Sequence, residues 1–275
     1  SGNLKMFEGK LKDALEDFRK CLEIFEKERD DFHKALVIRS MLFPLNFKLE
    51  FGEAFSLSLE ALRIFRDHGA KREMLYLWNN IGLIYLKKHR IERAENIFKI
   101  LLKKLPSNDP YYALIYHNSL LVKMSKKEYQ EILLSIEEFQ KMARNADLKV
   151  EIGRSYIIEG ETYIFLKDFP KAIKSLKKAS KFLRGNLFSF DEAYINIGLA
   201  KAYFEQKNYE KAFIYLKKAY NFYSSEGFVE EIEQSLSLWE KGIKDRKKNI
   251  ESLSNTIYSK LFNLYHFGIY YLEST

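Results

Sequence analysis

Apolar residues recur along this chain at three- and four-residue spacing almost throughout, the period of one face of a helix. Only four prolines and twelve glycines interrupt 275 residues, so the pattern predicts helix after helix. Breaks and caps fall between the periodic stretches. Ser107-Asn108-Asp109-Pro110 offers a polar cap with proline at the first helical position. Ser189-x-x-Glu192 reads as a capping box. Gly69 and Gly185 suit the left-handed residue just past a helix end. Pro44 falls inside a helical stretch, where it is expected to kink or end the helix.

A chain of this kind is tested first for internal repetition. The clearest unit runs from Leu77 to Pro106 and carries Trp78-x2-Ile81-Gly82-x2-Tyr85, then Ala94-x3-Phe98, then Pro106. A small residue opening a second helix recurs at Ala14, Ala54 and Ala94, and again at Ala172 and Ala212, each step 40 residues. Ile132 occupies that slot in the gap, giving six units with a period near 40. Gly82, Gly160 and Ala200 mark where the first helix of a pair (A) passes closest to the second (B). Ala61, Ala179 and Ala219 sit seven residues beyond the B slot, and Cys21 holds the matching position in the first unit as a buried structural thiol. Trp78, Tyr85, Phe98, Tyr156, Tyr163, Tyr203 and Leu216 are expected to fill the remaining space. Leu120 and Ile132 replace both small residues of the fourth unit, whose helices should sit further apart.

These positions resemble the tetratricopeptide pattern in order and spacing. The 40-residue period resembles the kinesin-light-chain type and the bacterial regulator type of that family. The resemblance implies an all-α, right-handed superhelical solenoid of antiparallel helix pairs. A unit of this size cannot bury its apolar face alone, so stacking is compulsory. About six repeats, the first truncated, are expected over residues 1–226. Residues 227–275 are expected to add a capping helix (228–247) and an amphipathic tail helix (249–272). Ile250, Leu253, Ile257 and Leu264 approximate an a/d stripe in that tail, with Lys260 interrupting it. The stripe must be covered by the chain's own last repeats, by a second copy or by another domain, and the homodimer is preferred.

The resemblance also implies a protein- or peptide-binding scaffold or sensor whose A helices line a concave groove, as part of a larger regulatory protein. The phase places Arg39 and Phe43, then Asn79, Asn80 and Leu83, on the inward face of the second and third units. It places His117, Asn118 and Leu121 on the fourth, Arg154, Ile158 and Glu161 on the fifth, and Lys201 on the sixth. Asn80 and Asn118 share a repeat position, and an amide there can donate and accept at once. Clamping a peptide backbone and bonding to neighbouring helices are both open to them.

Composition and charge narrow the classes. Hydrophobic residues at 47% and charged residues at 31% give a soluble globular balance, and no apolar run reaches the length of a membrane span. One cysteine excludes an internal disulfide and fits a reducing, cytoplasmic setting. Ser1-Gly2 reads as a cloning remnant ahead of a fragment of a longer protein. The net charge is +8, but the lysines are interleaved with acids, so nucleic acid is not the expected partner. The alternative is a nucleic-acid-associated regulator using the basic outer face of one B helix, where Lys171, Lys174, Lys178 and Lys181 align. A further alternative is the non-catalytic part of an enzyme. No two of the five histidines, nor any with Cys21, have metal-ligand spacing, and no GxGxxG, P-loop, GxSxG or HExxH occurs. No enzyme activity, cofactor or metal is therefore expected.

Overall fold

The computed structural model of the chain describes residues 2–7, 10–47, 50–145, 147–184 and 189–225. Twelve α-helices and no strand are formed among them. They alternate as A and B helices: α1 (Gly2–Phe7) with α2 (Leu11–Glu28), α3 (Asp31–Phe47) with α4 (Phe51–Asp67), and α5 (Lys71–Lys87) with α6 (Ile91–Lys104). Then come α7 (Pro110–Ser125), α8 (Tyr129–Asn145), α9 (Lys149–Phe165), α10 (Phe169–Leu183), α11 (Ser189–Glu205) and α12 (Tyr209–Ser225). The expected capping helix and tail helix, and Gly185, lie outside the described residues.

The chain forms two compact units, one through Val122 and one from Lys123. The division falls inside α7, in the repeat whose small slots hold Leu120 and Ile132; both residues are buried. Within the first unit α1 through α6 pack in sequence, and α3 also meets α5. Within the second, α8 to α12 pack in sequence and α9 also meets α11. An A helix therefore has neighbours on several sides. The long buried run in α9, from Ile152 through Gly153 to Ser155–Ile158, is the result. B helices keep one polar face outward, as a helix with a single buried stripe must.

Small residues set the closeness of the pairs. Ala14, Ala54, Ala94, Ala172 and Ala212 are fully buried, as are Ala61, Ala179, Ala200 and Ala219. A methyl group added to Gly82 would lie 2.8 Å from the Phe98 ring. Phe98 and Leu216 are buried as expected. Trp78 is not: it is 39% exposed, because Leu77 and Ile81 turn inward and take the interior positions. Cys21 is only half-buried, since six-residue α1 is too short to cover the C-terminal half of α2.

Helix ends follow a common device. Gly69 has φ +67°, but Arg29, His89, Lys127, Asp147, Lys167 and Lys207 adopt the same left-handed conformation without being glycine. At each, the residue's own N–H and the next one reach back into the last turn, as in Lys167 to Ile164 O (3.0 Å) and Asp168 to Tyr163 O (2.8 Å). Cations at helix C-termini also meet the negative end of the helix dipole. Asp109 caps α7 by accepting from the Tyr111 N–H at 2.8 Å, and Asp168 caps α10 by accepting from the Lys171 N–H at 3.2 Å. A non-glycine residue in the left-handed region carries strain. Lys167→Gly is expected to stabilise the protein by about 0.5–1 kcal/mol net of glycine's entropy cost, read as a raised melting temperature.

Pro44 lies inside α3 and does not end it. It stands three residues from the C-terminus, where the missing N–H removes a single late intrahelical bond. A neighbouring side chain serves the same helix end. Lys87 Nζ donates to Asn46 O at 3.0 Å and lies 5.1 Å from the centre of the Phe51 ring. Burial pushes the Lys87 ammonium well below the usual lysine range. An amine lowered in the folded state takes up a proton on unfolding, so its contribution to stability rises as pH climbs from neutrality toward the ordinary lysine value. The melting-temperature difference, Lys87→Met minus wild type, is expected to fall between pH 7 and about pH 10. A pH-independent difference would refute the assignment.

Candidate functional site

The expected groove residues lie on A helices, and each unit ties its own A helices together through them. In the first unit Arg39 of α3 pairs with Glu73 of α5. The Arg39 guanidinium also lies 5.5 Å from the centre of the Tyr76 ring. Arg72 donates from Nε to the Tyr76 hydroxyl at 2.6 Å and reaches Asp109 at 3.5 Å. Tyr76 stacks on Tyr111 of α7. Burial pushes the Tyr111 hydroxyl up from its ordinary range. One turn further along, Asn118 of α7 donates from Nδ2 to Asn79 Oδ1 of α5 at 2.8 Å, and both are buried.

The two asparagines differ: Asn118 bonds to a neighbouring helix and Asn80 within its own. Asn118 is held by Asn79, and Asn80 donates to Tyr76 O of its own helix at 3.1 Å. Leu121 is buried; Leu83 and His117 are half-buried; Phe43 is 38% exposed.

The second unit repeats the device with charges. Arg154 of α9 donates from Nε and Nη2 to Asp191 Oδ2 of α11, both at 3.3 Å, and from Nη1 to Glu151 Oε1 at 3.4 Å. Asp191 is 4% exposed. Burial raises the Glu151 carboxyl above its ordinary range, and the Arg154 guanidinium pulls the other way. Gln140 of α8 donates to Ser155 of α9 at 3.0 Å, adding a third helix. Ile158 and Glu161 are buried, and Lys201 pairs with Glu205 one turn on at 2.7 Å.

The partners missed in the sequence are Glu73, Tyr111, Asp191 and Glu151. Their signal was separation: Arg39–Glu73, Asn79–Asn118 and Arg154–Asp191 are 34, 39 and 37 residues apart, about one repeat. On the outer face of α10, Lys171, Lys174, Lys178 and Lys181 are exposed, and Lys171 pairs with Asp168 at 2.8 Å. Among the described residues no three His, Cys, Asp or Glu side chains gather as a metal site, and no helix is long and apolar enough to cross a membrane.

Comparison with known proteins places this geometry. A tetratricopeptide repeat model matches residues 153–182 and 192–225, which are α9–α10 and α11–α12 with their turns. No curated protein sequence matches the chain. Among solved structures, BtubC (BKLC) from P. vanneervenii is similar in fold, with TM-score 0.51 at 16% identity, over 80% of this chain and 91% of that one. The matched segments are two tetratricopeptide repeats, and helix pairs of the same layout, with small slots at 40-residue spacing, precede them.

Proposed function

We propose that this chain is a protein- or peptide-binding scaffold or sensor module, working within a larger regulatory protein through its A-helix faces. Tetratricopeptide repeats act as protein-interaction scaffolds, and two are matched here. The observation that carries the reading is the first unit's A-helix face. Phe43, Asn80 and Leu83 stand beside the rigid Arg39–Glu73–Tyr76 frame. A surface already locked by its own hydrogen bonds loses little side-chain entropy when a partner docks. Arg154 and Lys201 belong to the corresponding face of the second unit, where their ion pairs leave less capacity for a ligand.

The experiment is affinity capture with the intact chain, wild type against Phe43→Ser combined with Leu83→Ser. A control variant carries Lys103→Ser on the exposed face of α6. The expected result is loss of the captured set by the A-face variant alone, with helicity unchanged by circular dichroism. An A-face variant that retains every partner while the outer-face control loses them would overturn the reading.

A further inference from the structure

The outer faces of two B helices carry one pattern with opposite charge. Beside the slot at Ile132, α8 presents Glu131, Leu134, Glu137 and Glu138. Two repeats later, beside Ala212, α12 presents Lys211, Ile214, Lys217 and Lys218 at the same four positions. All eight side chains are exposed. Leu134 is 67% exposed and Ile214 54%, the centre of each face. Local partners leave most of the charge outward. Glu131 meets Lys123 at 3.4 Å while remaining 63% exposed. Lys211 and Lys218 rest over the Tyr203 and Tyr215 rings at 5.4 and 5.6 Å. Those rings stack on each other, which fixes the lysine stems. Glu137, Glu138 and Lys217 form no ion pair among the described residues.

We propose that a second copy of this chain docks on these faces, α8 of one copy lying against α12 of the next. Leu134 then covers Ile214, and the carboxylates surround it opposite the ammonium groups, an apolar centre inside a polar rim. At these four positions each face carries one sign, with exposed Lys141 one turn beyond them on α8 and exposed Glu210 beside them on α12. So α8 against α8 or α12 against α12 is repulsive at the centre and the unlike pairing is selected. The two faces of one copy do not meet, because α9, α10 and α11 lie between their helices in the packing sequence. The contact joins different patches, so it propagates head to tail. A closed two-fold pair would set the α10 helices face to face, lysine against lysine at Lys171, Lys174, Lys177 and Lys178. No A-helix residue takes part, so this contact and partner binding on the A faces succeed or fail separately.

The test is sedimentation equilibrium of the intact chain and two charge-reversed variants, Glu131→Lys/Glu137→Lys/Glu138→Lys and Lys211→Glu/Lys217→Glu/Lys218→Glu. Wild type is expected to rise above the mass of one chain with concentration at low salt. It should return to that mass near 1 M salt, where screening acts within about 3 Å. Each variant alone should stay at the mass of one chain, and an equal mixture should associate, because every junction again pairs unlike faces. Leu134→Asn, a single exposed change, should weaken association about tenfold and serves if a triple variant loses helicity. A wild type of single-chain mass at every concentration, a mixture that fails to associate, or association unmoved by either reversal would overturn the proposal.

Discussion

Replacing Arg154 by methionine is expected to destabilise the second unit by about 3–5 kcal/mol, because it removes one partner of a buried charge pair. Asp191 is nearly inaccessible, Glu151 is pushed toward its neutral form by burial, and the guanidinium meets both. A structural role and a ligand-binding role for Arg154 separate cleanly here. The variant should shift the midpoint of urea unfolding strongly, and the effect of Asp191→Asn should be smaller in the Arg154→Met background than in wild type, because the two side chains share one interaction. A midpoint equal to that of wild type would show that the α9–α11 tie contributes nothing.

Gly160→Leu is expected to cost about 3 kcal/mol, at the upper end of overpacking effects. A methyl group there would already lie 2.6 Å from Leu176 Cγ and 3.3 Å from the backbone oxygen of Ala172. Leu176 has little room to retreat, since Gly198 of α11 closes on it from the other side, with 2.9 Å to an added methyl. Leu176→Ala should restore part of the stability by making space. Gly52→Ala is the control: nothing lies within 4 Å of the added methyl, and relief of glycine's entropy should leave the melting temperature equal or slightly raised. Equal melting temperatures for Gly160→Leu and Gly52→Ala would contradict the repeat register.

The register itself was legible because it rests on volume. Gly82, Gly160 and the alanine series recur at fixed spacing, and a missing side chain has one physical use between two helices. The A faces were legible only by position. The phase placed Arg39, Asn79, Asn118 and Arg154 inward, but not what they bond to, because Glu73, the opposite asparagine and Asp191 lie about a repeat away in sequence. Trp78 shows another limit. It matched the family position, yet Leu77 beside it is buried while Trp78 stays exposed. The left-handed turns at Lys127, Lys167 and Lys207 were invisible because lysine does not announce positive φ as glycine does.

Those turns bear on how the chain acquires its fold. His89, Lys127, Lys167 and Lys207 close their helix ends with the same pair of backbone bonds, each spanning only three and five residues. These four A–B hairpins therefore each possess a locally completed corner, and neighbouring helices supply most remaining contacts. Low contact order of this kind favours fast folding and distributes nucleation among several sites instead of concentrating it in one. A substitution that slows one corner should leave alternative routes open, so the refolding rate should respond less than the unfolding rate to any single turn mutation.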